Sequence, residues 1–135
     1  MKRFEEIPHT ADWSFRAFGQ DLAELFANAA FALFALEGAQ ARSDTNEIAR
    51  TVEAIGIDRE SLFVNWLTEL LWLQESNRET YQRFQIDSLS ETELRAQVFG
   101  KPLMQLDKII KAVTYHNLKI EQMTDGWQVV VVVDV

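Results

Sequence analysis

The chain has no cysteine, and that one absence removes disulfides, thiolate metal sites and cysteine nucleophiles together. Its five glycines are scattered singly, so there is no glycine-rich loop to cradle a phosphate. A GxSxG nucleophile elbow is missing as well. Positive charge is scarce: thirteen Lys and Arg stand against twenty-one Asp and Glu, a formal charge of −8. Gripping a phosphate backbone takes clustered cations, so direct nucleic-acid binding is not expected. No stretch nears the ~20 apolar residues needed to cross a bilayer, and the opening MKRFEEIPHTAD lacks the apolar run of a signal peptide. The expectation is a cytoplasmic protein without a membrane partner.

What is present is enough for a core. The 135 residues are 47% hydrophobic and 25% charged, which suits one globular domain spanning 1–135. WSFRAFG (13–19) alternates as a half-buried strand, with Trp13, Phe15 and Ala17 on one side. Asp21 then caps a helix, with Glu24 in capping-box spacing. Leu22, Leu25, Phe26, Ala29, Ala30, Leu33 and Phe34 form its apolar face. After a polar break over 36–47, residues 48–57 read as a strand and Asp58 as the cap of a second helix. Leu62, Phe63, Trp66, Leu67, Leu70 and Leu71 form the stripe of that helix, extended by Trp72 and Leu73. RFQIDSL and ELRAQVFG read as a strand pair, GKPLMQLD as a loop, and IIKAVTYHNLKIEQM with GWQVVVVVDV as a hairpin turned at TDG. The pattern predicts an α/β (α+β) sandwich, two helices packed on a mostly antiparallel sheet. A strand-then-helix unit occurs twice, which allows a duplicated or nested architecture.

Only two histidines are available for chemistry. His9 lies in the PHTAD segment, and His116 falls within the strand expected over AVTYHN. Each is more simply a structural side chain than a catalytic one. The carboxylates say more. Asp12 stands just before the first strand, and Asp134 closes the last. If those strands pair antiparallel, the two aspartates meet, with the Val135 α-carboxylate close behind. Three anions there repel unless protons or a cation intervene, and an all-oxygen set suits Ca²⁺, Mg²⁺ or Mn²⁺. On spacing alone, a charged strand end that keeps a sheet edge soluble is the plainer reading, and a cation site is the alternative.

Four segments then add a resemblance. PHTADWSFRAFGQDLAELFANAAFALF, LFVNWLTELLWL, KAVTYHNLKI and the terminal DV resemble, in order, the signature segments of the archease family. The resemblance implies two related small α/β modules, one inserted into the other. It also implies an accessory role for an RtcB-type RNA-splicing ligase, which joins 2′,3′-cyclic-phosphate or 3′-phosphate RNA ends to 5′-hydroxyls using GTP. Such a protein promotes guanylylation and multiple turnover of the ligase and is not itself an enzyme. The family's metal site, usually reported with Ca²⁺, falls on Asp12, Asp134 and Val135. His9 belongs to the same motif as a group behind the ligands. Lys111, Thr114 and His116 match the family and are candidates for support of the site or for partner contact.

This chain departs from many relatives in carrying Trp13 for Val and Asn65 for Asp. Its GKPLMQLDKI stretch lacks the Gly-Glu start and the His that relatives often show. Two other functions stand beside the accessory role: a general protein chaperone, and a metal-dependent hydrolase using His9, Asp12 and His116.

Overall fold

The computed structural model describes residues 2–8 and 13–135. Two antiparallel sheets pack with two helices, in the sandwich class that the hydrophobic pattern predicts. The first sheet contains β1 (Phe4–Glu6), β2 (Trp13–Gly19), β7 (Ala112–Val113), β8 (Ile120–Met123) and β9 (Gly126–Asp134). The second contains β3 (Gln40–Ala41), β4 (Ile48–Ile55), β5 (Glu79–Leu89) and β6 (Glu93–Gln105). Helix α1 (Leu22–Leu36) follows β2, and α2 (Arg59–Asn77) follows β4. In sequence, every strand of the second sheet lies between β2 and β7. One strand–helix–sheet module is thus nested inside the other.

Both helices begin where capping chemistry places them. The Asp21 carboxylate accepts the Glu24 amide at 2.8 Å, and Asp58 accepts that of Ser61 at 2.8 Å, each satisfying an otherwise orphaned donor. The expected capping box at Glu24 is shifted: its carboxylate accepts from the Gln20 amide, one residue before the cap. The full box belongs to α2, where the Ser61 hydroxyl answers the Asp58 amide at 3.1 Å.

The apolar stripes of the two helices meet each other and the sheets. Leu25, Phe26, Leu33, Leu62, Phe63, Trp66, Leu67 and Leu70 are fully enclosed, each contributing about 1.5–3 kcal/mol before entropy. Phe26 and Phe63 pack edge-on at 5.2 Å, and the Trp66 indole donates to the Phe26 carbonyl at 3.0 Å, so a buried polar tip has its partner. Of the expected extension of the α2 stripe, Leu73 packs against the core, whereas Trp72 is 59% exposed.

Two strand assignments are corrected. Residues 101–105 of GKPLMQLD continue β6, pairing with β5 and β3, where a loop is expected. Pro102 lacks a donor, but its carbonyl accepts the Arg42 amide at 2.9 Å, so the ladder survives. The expected strand over 109–123 is broken: only β7 and β8 pair with β9, and His116 lies in the turn between them. There Asn117 takes a left-handed φ of 52°, and the Leu118 amide closes the turn on the Tyr115 carbonyl at 3.0 Å. The hairpin at TDG forms as expected, with Gly126 at φ 139°, a conformation side chains disfavour.

Candidate functional site

The polyvaline strand is the axis of the first sheet. β9 is bonded along one side by β2 and along the other by β7 and β8. Val129, Val131 and Val133 point into the core, so pairing and burial together fix where β9 ends. β2 pairs antiparallel with β9, which meets the condition set for bringing the two strand ends together, and the last pair is Trp13 with Val133. The chain therefore enters β2 at the end of the sheet where β9 leaves it. His9 and Asp12 lie outside the described residues.

Asp134 is the last residue of β9 and is exposed. Its carbonyl accepts the Lys111 amide at 2.7 Å, so the backbone is held while the carboxylate is left to solvent. Val135 is 44% exposed. No ion pair among the described residues uses the Asp134 side chain or the C-terminal carboxylate. Nor do the described residues contain a group of three or more His, Asp or Glu side chains arranged to hold a metal. What the described part supplies is two uncompensated oxygen donors, a set suited to a hard cation.

Thr114 works for its own sheet. Its amide and hydroxyl both donate to the Val132 carbonyl at 3.0 Å, and the hydroxyl accepts from the His116 amide at 3.2 Å. The exposed His116 ring meets Asn117 Nδ2 at 3.2 Å. Lys111 is exposed beside Val135. Asn65 donates its amide to the Ile55 carbonyl at 2.7 Å, tying α2 to the end of β4. A carboxylate could not make that bond, so Asn65 carries a structural contact in place of a charge.

Residues that the pattern did not flag surround this end. The Lys108 ammonium sits over the Trp13 ring, 3.0 Å from its centroid, an attraction worth about 0.5–1 kcal/mol at such a site. Lys108 is held by Glu37, whose carbonyl accepts the Asp107 and Lys108 amides at 2.9 and 3.2 Å and whose carboxylate accepts the Ile110 amide at 3.1 Å. Gly38, at φ 65°, leaves room for the Asp107 carboxylate where a Cβ would lie.

Glu37 is wholly buried, and burial pushes its carboxyl above the ordinary carboxylate value, against the lowering effect of the Ile110 amide and the nearby Gln74. Neither Glu37 Oε1 nor Gln74 Nε2 has a well-formed hydrogen bond. Helical spacing held a sign of this. Phe26, Ala30, Leu33 and position 37 follow at steps of 4, 3 and 4, so Glu37 lies on the apolar face of α1.

Residues 4–135 match the model of the archease protein family. The chain belongs to the archease family. It is 36% identical to protein archease of Methanosarcina barkeri, with 99% of this chain and 97% of that one covered. With protein archease of Pyrococcus abyssi the identity is 35%, covering both chains fully. Among solved structures, it is similar to a Thermotoga maritima archease described as a possible chaperone. There the TM-score is 0.69 and the identity 29%, over 97% of this chain and 96% of that one. A solution structure of Methanobacterium thermoautotrophicum protein 1598 gives a TM-score of 0.67 and 28% identity over the whole of both chains. The nesting of one module in another that the sequence resemblance implies agrees with the place of the second sheet between β2 and β7.

No helix of this archease is long and apolar enough to cross a membrane among the described residues.

Proposed function

We propose that this archease is a non-catalytic accessory factor of an RtcB-type, GTP-dependent RNA ligase, acting in tRNA splicing or RNA repair. On this reading it holds a divalent cation, Ca²⁺ or, as alternatives, Mg²⁺ or Mn²⁺, through Asp12, Asp134 and the α-carboxylate of Val135. The observation that carries the proposal is the β2–β9 register. Trp13 pairs with Val133, so the next residue in the chain is Asp12 before β2 and Asp134 at the end of β9. The donors are hard oxygens, as Ca²⁺ prefers. The ion supplies local positive charge for a nucleotidyl-transfer step on the ligase. The chain's own part is to present the donors at a fixed place: the valines set the end of β9, and the Lys111 amide holds the Asp134 carbonyl.

Multiple-turnover RNA ligation with the purified ligase tests this. Wild type should raise turnover, and Asp12→Ala or Asp134→Ala should abolish the gain while leaving the circular dichroism spectrum unchanged. Full stimulation by both variants overturns the proposal.

The chaperone reading draws on the description of the Thermotoga maritima relative and on exposed apolar side chains such as Ile57 and Trp72. It predicts suppressed aggregation of unrelated unfolded proteins, with no effect on ligation. A hydrolase using His116 is disfavoured, because that ring sits in a surface turn against Asn117, beyond β7.

A further inference from the structure

Two carboxylates are buried among the described residues, and they are supported differently. Glu79 has the Arg50 guanidinium, whereas Glu37 forms no ion pair with a described residue. Taking an uncompensated carboxyl out of water is costly, and an apolar side chain at the end of α1 would avoid that cost. Core stability therefore does not account for Glu37. What it holds does.

Glu37 stands at the junction of the two modules. The chain leaves the first module through Gly38, directly after it, at φ 65°. It returns through residues 107–111, which belong to no strand. The returning segment takes its backbone partners from Glu37. The Asp107 and Lys108 amides donate to the Glu37 carbonyl, and the Ile110 amide donates to the Glu37 carboxylate at 3.1 Å. The very next amide, that of Lys111, donates to the Asp134 carbonyl at 2.7 Å. Two consecutive peptide units thus grip Glu37 on one side and the last residue of β9 on the other. The same segment carries Lys108, whose ammonium lies on the ring of Trp13, the residue after Asp12. From α2 of the nested module, Gln74 sits beside the Glu37 carboxylate, itself buried.

We propose that Glu37 is a positioning residue for the carboxylate end of β9: through the 107–111 segment it sets where Asp134 and Val135 stand, and thereby the affinity of the cation site. The proposal rests on the cation-site reading above. Glu37 does not touch the ion. It acts through the Ile110 amide, and loss of that bond lets the segment move and leaves the donors less well placed before the ion arrives. The coupling is reciprocal, so a bound ion in turn steadies the segment.

The test combines calorimetric Ca²⁺ titration with amide hydrogen exchange on three full-length variants. Glu37→Leu keeps a similar volume and removes both oxygens. It should bind Ca²⁺ about tenfold more weakly, the scale for losing a group behind the ligands. Its Lys111 amide should exchange faster than in wild type, while Val98 in the second sheet keeps its protection. Glu37→Gln retains an acceptor for the Ile110 amide and should restore both properties to within about twofold of wild type, the rescue expected of a group that acts by hydrogen bonding. Arg50→Ala lowers stability at a distance from the segment and should leave Ca²⁺ affinity unchanged. In wild type, saturating Ca²⁺ should slow exchange at Ile110.

A folded Glu37→Leu that binds Ca²⁺ as tightly as wild type overturns the proposal and leaves the cation site standing. An equal loss of affinity in Arg50→Ala also overturns it, because general destabilisation would then be the cause. If Glu37→Leu does not fold, the wild-type arm decides, and exchange at Ile110 that Ca²⁺ leaves unchanged overturns the proposal. Wild type that binds no Ca²⁺ overturns the cation-site reading and the positioning role with it.

Discussion

Glu79 in the second sheet and the carboxylate end of β9 in the first are treated in opposite ways. In the second sheet, Glu79 is almost fully buried and fully supplied. Arg50 donates to its two oxygens at 2.9 and 2.7 Å, and the Tyr81 hydroxyl donates at 2.8 Å. The Arg50 guanidinium holds its carboxyl below the ordinary value, with Tyr81 helping. Burial and the adjacent carboxylate push the Tyr81 hydroxyl well above its own ordinary range. In the first sheet, Asp134 and Val135 stand exposed at the end of a core-anchored strand, and no ion pair among the described residues uses their carboxylates. The difference teaches where to look for function. A carboxylate saturated by its own fold is structural, whereas one held in place and left uncompensated is available to bind. Glu37 lies between these cases: buried, with one backbone donor on its carboxylate and one orphaned oxygen.

The largest effect should come from opening the closed site. Arg50→Ala leaves Glu79 buried without its cation and should cost about 3 kcal/mol, the low end for a broken buried pair because Arg50 is partly exposed. Chemical denaturation measures this, and Ca²⁺ binding should be untouched. Glu79→Ala should cost less, since the stranded guanidinium can reach water and only the Tyr81 hydroxyl is orphaned, at about 1–3 kcal/mol. A larger loss from Glu79→Ala than from Arg50→Ala would mean that Tyr81, and not the ion pair, dominates the cluster.

The pH profile sharpens the contrast between Glu79 and Glu37. Glu79 has a lowered folded pKa, so its contribution is present above its ordinary value of 4.5 and is lost as pH falls through the folded value. Glu37 has a raised folded pKa, so its contribution is complete below 4.5 and is lost as pH rises through the folded value. Glu37→Gln should remove that second decline and make stability flatter above pH 4.5, as read by urea unfolding across pH. The same decline in Glu37→Gln as in wild type would show that Glu37 is not its source. The smallest effect belongs to the open end. Asp134→Ala should change stability by no more than about 0.5 kcal/mol, as for an exposed residue outside the core.

Much of this was legible in the residues. Both helices, their Asp caps and the TDG turn follow from local periodicity and turn chemistry, which act over a few residues. The breaks were less visible because their causes are distant. β6 runs through Pro102 because β3 and β5 offer partners on either side. Residues 114–119, between β7 and β8, leave the sheet because Thr114 and Asn117 supply a turn within a run of strand-forming residues. The Arg50–Glu79 pair joins residues 29 apart across the β4–β6–β5 sheet, which no spacing rule anticipates. The carboxylate end of β9 was legible only as a possibility, since its meaning depends on the strand that lies beside it.

The most direct test of the open end is calorimetric Ca²⁺ titration of three full-length proteins: wild type, Asp134→Ala, and wild type with one glycine added after Val135. The added residue moves the terminal carboxylate away from Asp134 while keeping every native side chain. Wild type should bind one Ca²⁺, and both altered proteins should bind it at least about tenfold more weakly, the loss expected when one ligand of a site is removed. Equal affinity in all three would contradict the account, because neither Asp134 nor the terminal carboxylate would then be a ligand.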